Sequence, residues 1–207
     1  MHTLDVILAE SAKRHKHLCP RQVLGARMGL CAAEILGLEL PRNDKRLLVI
    51  AETDGCAVDG LIAATGCRVG SRTLRILDFG KVAATFTDTF AGVSVRIAPA
   101  YEARKLATLY ASAAHSNWES MLLGYQVMPV PALFTVQYVQ LKTPLSEMIS
   151  RPGRKTICDV CGEEIINGRE SLGNGNVLCR ACAGDGYYVV GAQLTEALQY
   201  RPKMMLS

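Results

Sequence analysis

The sequence predicts an α+β protein: a mixed helix/antiparallel-sheet domain over residues 1–150, then a small four-cysteine domain over 151–207. Two observations predict the first domain. Segments with helical apolar spacing alternate with short strand-like runs, and turn-forming Gly, Pro and Asp residues separate them. One observation predicts the second: two Cys-x2-Cys pairs lie behind Ser150-Arg151-Pro152-Gly153-Arg154-Lys155, the best linker in the chain. A chain of 207 residues suffices for one good core with a small appendage, or for two small domains.

Residues Thr3–Arg14 read as a short helix with Leu4, Ile7, Leu8 and Ser11 on one face. Pro20–Leu36 reads as a second, because Pro20 suits the first helical position and Gly37 the stop. This puts Cys19 at the N-cap, where the helix dipole lowers a thiol pKa. Gly25, Gly29 and Cys31 are small, so a neighbour is expected to pack closely on this helix. Arg46–Ala51 is a short buried strand that runs into Glu52-Thr53-Asp54-Gly55-Cys56, and a helix follows to Ala64 with Gly66 as its C-cap. Thr73–Leu77 and Lys81–Phe86 read as strands of a hairpin turned by Asp78-Phe79-Gly80. Val93, Val95 and Ile97 alternate up to Pro99 as another strand. Tyr101–Ala114 is a helix, Trp118–Gly124 a shorter one, and Leu133–Leu141 a last strand after the Pro129-Val130-Pro131 break.

Net charge is +4 and spread along the chain: seven Lys/Arg against six Asp/Glu from Arg151 onward, 16 against 13 before it. Neither part has the footprint of a dedicated nucleic-acid binder. The first ten residues lack a basic n-region and a sustained apolar run, and no segment reaches the roughly 18 apolar residues a membrane span needs, so a cytoplasmic protein is expected. A cytosolic chain with eight cysteines more often uses them for metal or redox chemistry than for disulfides.

Cys158 and Cys161 are followed, after 17 residues, by Cys179 and Cys182. Four thiolates on two tight knuckles close a tetrahedral shell, and the spacing suits zinc better than an iron–sulfur cluster. Gly162, Gly168 and Gly173-Asn174-Gly175-Asn176 supply the turns. A module this small needs the metal to fold. It resembles zinc ribbons and the TraR/DksA-type zinc finger, which bind nucleic acid, proteins or nothing; near-neutral charge favours protein contact or a structural role. The tail Gly191–Ser207 is expected to dock back or to meet a partner.

His15, His17 and Cys19 alternate, so an extended segment points them the same way. With Cys56 they form a soft donor set suited to zinc or another late transition metal. Three ligands and an open position describe a catalytic metal; Asp54 or Glu52 would orient a histidine or act as general base. Spacing alone does not separate a metal site from coincidence. Cys31 reads as a small core residue, and Cys67 as a ligand, a resolving thiol for Cys56 or a buried residue. Trp118 and the tyrosines read as core or interface residues.

His15-x-His17-Leu18-Cys19-Pro20, Glu52-Thr53-Asp54-Gly55-Cys56, Thr65-Gly66-Cys67 and Asp78-Phe79-Gly80-Lys81, in this order, resemble the E subunit of formylmethanofuran dehydrogenase and its relatives over residues 10–145. Many members of that family carry a C-terminal zinc finger as well. The resemblance implies an α+β domain that pairs with its twin as a homodimer, and a second metal, zinc, at His17, Cys19 and Cys56 with His15 close by. It also implies a link to one-carbon, methanogenesis-related or molybdenum/tungsten enzyme metabolism, with a larger dehydrogenase complex as partner; the dehydrogenase chemistry belongs to other subunits. Where the family has glycine, this chain has Lys16 and Arg21. The added positive charge suits a small anionic ligand, or marks loss of an ancestral activity.

The leading functional expectation is therefore a zinc-binding accessory protein with a His/Cys metal or small-ligand site. Two catalytic schemes fit: metal-assisted hydrolysis with Asp54 or Glu52 moving the proton, or Cys19 as nucleophile activated by His17. A regulatory or adaptor protein that uses the four-cysteine module for protein or nucleic-acid contact is the alternative. A purely structural protein with a degenerate site is a third.

Overall fold

The structure, a computed structural model, describes residues 2–15, 17–149 and 151–189, the side chains of Arg14 and His15 excepted. The expected role of the tail Gly191–Ser207 lies outside these residues. The chain divides into two compact units, Met1–Ile149 and Ser150–Ser207.

Unit 1 begins with α1 (Leu4–His15) and α2 (Pro20–Leu36), then β1 (Leu47–Ala51), α3 (Ala57–Thr65), β2 (Leu74–Ile76), β3 (Ala84–Asp88) and β4 (Val93–Pro99). It continues with α4 (Ala103–Tyr110), α5 (Asn117–Val127), α6 (Val130–Leu133), β5 (Phe134–Tyr138) and α7 (Leu145–Met148). The five strands form one sheet in the order β2-β1-β3-β4-β5. β1 pairs parallel with β2 through the α3 crossover, and every other pair is antiparallel. Val49, Phe86 and Val95 share one cross-strand row, and Ala51, Ala84 and Ile97 the next. These rows form the sheet face of the core, and Val23, Met28 and Leu61 close it from α2 and α3.

The expected β2–β3 hairpin does not form. Asp78-Phe79-Gly80 does turn: Asp78 Oδ1 accepts from Gly80 N–H at 2.9 Å, and Gly80 sits at φ +66°. But β1 lies between the two strands, and the loop straddles its end. Leu77 N–H donates to Ala51 O, and both Phe79 N–H and Lys81 N–H donate to Glu52 O. A continuously buried strand needs partners on both sides, and β1 takes β2 on one edge and β3 on the other.

α3 packs on α2 at backbone distance. A Cβ on Gly25 would lie 2.0 Å from Ala57 O, and one on Gly60 2.1 Å from Gln22 O. Further along, Gly29 faces Ala64 and Thr65. The contacts advance together in both helices, so α2 and α3 run parallel and their N-termini lie at one end.

Unit 2 holds two hairpins, β6 (Lys155–Ile157) with β7 (Glu164–Ile166) and β8 (Ser171–Gly173) with β9 (Asn176–Leu178), then a helical turn over Ala181–Asp185. Asn174 and Gly175, at φ +52° and +80°, make the left-handed two-residue turn between β8 and β9.

Candidate functional site

The parallel packing of α2 and α3 brings two thiols together. Cys19 is the N-cap of α2, with extended φ/ψ of −129°/159°, and Cys56 is the N-cap of α3. Gln22 completes a capping box: its Oε1 accepts from Cys19 N–H at 2.8 Å while its backbone N–H donates to the Cys19 side chain. Gln22 is held by Ser11 of α1, whose carbonyl and hydroxyl receive its Nε2–H at 3.1 and 3.0 Å. Cys56 is the side-chain neighbour of Cys19, and both line a cavity of about 470 Å³.

The Cys19 thiol titrates above its ordinary value, not below it as its N-cap position suggests. Burial raises it, and the backbone N–H groups of Gln22 and Arg21 offset that only in part, while the facing Cys56 adds to the rise. The dipole acts on it, but desolvation is larger because Cys19 is buried.

α4 and α5 also contribute to the cavity wall. Arg104 supplies a charge, and Trp118, Met121 and Tyr125 supply an apolar face. Leu24, Val82, Pro99 and the exposed Arg21 also line the cavity. Arg27 fixes α5 in place: its guanidinium donates to the carbonyls of Tyr125, Gln126 and Met128 at 2.7–2.9 Å, capping the C-terminus of that helix. Arg104, Met121 and Tyr125 carry no sequence signal. Trp118, expected in a core or interface, is half exposed and faces this cavity.

The other expected site residues are placed differently. Glu52 is buried and committed to Arg96 of β4, whose Nε and Nη2 donate to its carboxylate oxygens at 2.5 and 2.7 Å. This bidentate pair holds the end of β1 to the sheet and leaves Glu52 no carboxylate free to serve as the base the sequence suggested. Asp54 is exposed and is not among the cavity-lining residues. His17 is exposed on the segment entering α2; the side chain of His15 lies outside the described residues. Among the described residues, His17, Cys19 and Cys56 do not form a three-donor cluster. Cys31 and Cys67 are core residues: Cys67 Sγ donates to Leu47 O at 3.4 Å, and burial pushes both thiols up.

In unit 2 the Sγ atoms of Cys158, Cys161, Cys179 and Cys182 lie within 4.8 Å of one another, a set able to hold one metal ion. Cys158 follows β6, and Gly162 at φ +75° completes the first knuckle. Amides aim at sulfur: Cys179 N–H donates to Cys158 Sγ at 3.3 Å, and Cys182 N–H to Cys179 Sγ at 3.4 Å. Backbone N–H groups, that of Cys161 foremost, hold the Cys158 thiol down to about 6. Its neighbours, Cys179 foremost, push Cys182 up to about 12. Four thiols this close cannot all ionise without a cation among them, and a divalent metal resolves that conflict.

The chain is thus an α+β unit with a thiol pair at two helix N-termini, followed by a four-cysteine unit able to hold a metal ion. The family model described as "FmdE, Molybdenum formylmethanofuran dehydrogenase operon" matches residues 14–127, and the chain belongs to the FmdE family. A curated relative, the "probable S-adenosyl-L-methionine-binding protein" of Archaeoglobus fulgidus, is 29% identical over 211 residues, covering 91% of this chain and 55% of the relative. The chain therefore spans about half the length of that relative. A crystal structure of a tungsten formylmethanofuran dehydrogenase FmdE-like protein from Syntrophus aciditrophicus superposes with a TM-score of 0.59 at 20% identity, over 91% of this chain and 96% of that one. At that identity the match establishes the fold. No described helix is long and apolar enough to cross a membrane.

Proposed function

We propose that this FmdE-family protein is a zinc-binding accessory protein that holds two metals. One is a structural zinc on Cys158, Cys161, Cys179 and Cys182. The other is a thiophilic metal, zinc in the first instance, on Cys19 and Cys56. The observation that carries the second site is the meeting of these thiols at the N-termini of α2 and α3, on the wall of one cavity. Thiolate is the ligand class that such a metal prefers, and helix N-termini favour the anionic form. His17, or His15, two and four residues ahead of Cys19, would complete the set from the entering segment. Bound there, the metal would supply Lewis-acid polarisation of a ligand oxygen. The family description, which names a molybdenum formylmethanofuran dehydrogenase operon, supports a place beside such enzymes.

Metal content per full-length chain tests this. The wild type is expected to hold about two metals, and Cys19→Ser, Cys56→Ser and Cys161→Ser about one each. A Cys19→Ser variant that keeps the full content overturns the N-terminal site. The name of the Archaeoglobus fulgidus relative makes S-adenosyl-L-methionine one compound to titrate against the same samples.

A further inference from the structure

The cavity holding the thiols has a second chemical character that metal ligation does not use. Arg21 of α2 and Arg104 of α4 both line it, and neither has a carboxylate partner among the described residues. Tyr125 also lines it, only 4% exposed, and its hydroxyl has no hydrogen-bond partner among the described residues. No buried side-chain nitrogen or oxygen of the described residues is cut off from both solvent and a partner, so this hydroxyl opens to the cavity. The charge of Arg104 bears on Tyr125, opposing the burial that raises its pKa. The N-termini of α2, 17 residues, and α3, nine residues, end at the same cavity. Positive guanidinium groups, a free hydroxyl donor and two helix N-termini share one preference, an anionic oxygen ligand. Leu24, Val82, Pro99 and Met121 make the rest of the wall apolar.

We infer that this cavity binds a small organic anion, its carboxylate or phosphate group held by Arg21, Arg104 and the Tyr125 hydroxyl and its apolar body lying between Leu24, Val82 and Met121. The inference deepens the proposed metal site by naming the class of molecule brought to it, and rests on that reading only for the role of the thiols. Arg104 and Tyr125 are then specificity-determining residues. They select a charged head group within the cavity that the thiols also line.

Trp118 is the chain's only tryptophan and lines this cavity, so its fluorescence reports occupancy directly. Full-length protein is titrated with hexanoate, hexyl phosphate and inorganic phosphate, and with neutral hexanamide as control. Hexanoate or hexyl phosphate is expected to saturate the signal, with hexanamide at least about tenfold weaker, the loss expected when a charge-assisted hydrogen bond is removed. Which of the two binds tighter separates a carboxylate from a phosphate site, and inorganic phosphate shows what the head group contributes alone. Arg104→Met is expected to weaken the anion by about tenfold while leaving hexanamide unchanged, and Tyr125→Phe by a few-fold. Equal binding of hexanamide and hexanoate, an unchanged affinity in Arg104→Met, or no saturation by any probe overturns the inference. Thermal melts of each variant show that it is folded. Metal content on the same samples keeps the two readings apart. Loss of anion selectivity with two metals retained overturns only this one. Anion binding intact in a chain with no metal at Cys19 overturns only the other.

Discussion

Asp88 shows how far one carboxylate organises a turn. Its side chain is 3% exposed, accepts from Arg46 Nη2–H at 2.8 Å, and also receives the amides of Phe90 and Ala91 at the β3–β4 turn. Arg46 beside it, foremost, holds its pKa below the ordinary carboxylate value. A depressed folded pKa stabilises the protein above the unfolded value, about 3.9, and that stability is lost as pH falls through the lower folded value. Asp88→Asn is therefore expected to lower the Tm of unit 1 by about 2–4 °C at neutral pH, the effect of roughly one net hydrogen bond. The Arg46 head is 41% exposed, so solvent screening keeps the ion-pair share of that effect small. Melts of both proteins from pH 7 down to pH 3 check the sign: the gap must close in acid. A gap that widens instead would contradict the assigned pKa direction. At this same scale, sequence placed Cys19 at the N-cap of α2, as found, but misjudged the direction of its pKa shift, because helix position is local and burial is not. Glu52 was misread for the same reason: its partner Arg96 lies 44 residues away on another strand.

Between elements, the α2–α3 contact decides whether a site exists at all. Replacing a helical glycine with alanine ordinarily gains up to about 1 kcal/mol of helix propensity. At Gly25 the new Cβ would sit 2.0 Å from Ala57 O, on backbone that cannot turn aside. Overpacking of this kind costs about 1–3 kcal/mol and outweighs the gain. Gly25→Ala is expected to lower Tm by roughly 2–8 °C and, by pushing the two N-termini apart, to reduce metal retained at Cys19 and Cys56. A stabilised Gly25→Ala variant with unchanged metal content would mean that the helices are not held at this distance. The small residues of α2 signalled a close neighbour, but not that the neighbour was α3 running parallel. The strand pairing was hidden in a similar way. Asp78 and Gly80 specify a turn from local chemistry, whereas the choice of β1 as the shared partner of β2 and β3 is set by burial across the whole sheet. The cavity wall from α4 and α5 was least legible: Arg104 and Tyr125 meet the thiols only through tertiary packing.

The two units differ in how much apolar surface they bury. In unit 1 the apolar faces of the sheet and of α2 and α3 bury Phe86, Ile97, Met28 and Leu61 at 1% exposure or less. In unit 2, Cys158 and Ile165 are the only buried apolar residues among those described. A fully buried apolar side chain contributes about 1.5–3 kcal/mol, far short of the ordering entropy of some forty residues. A metal on the four cysteines would offset part of that cost: a structural zinc in a finger-sized peptide contributes about 10–16 kcal/mol of apparent binding free energy at neutral pH. Chelation, or Cys161→Ser, is therefore expected to unfold unit 2 alone. Amide hydrogen exchange would show loss of protection from Lys155 to Leu178, while Leu47–Ala51 and Ala84–Asp88 exchange as slowly as before. Protection that survives chelation across the β8–β9 hairpin would mean that this unit folds without its metal, and would reduce the four cysteines from a folding determinant to a ligand set. Loss of protection in both units together would mean instead that the metal stabilises the chain as a single cooperative body.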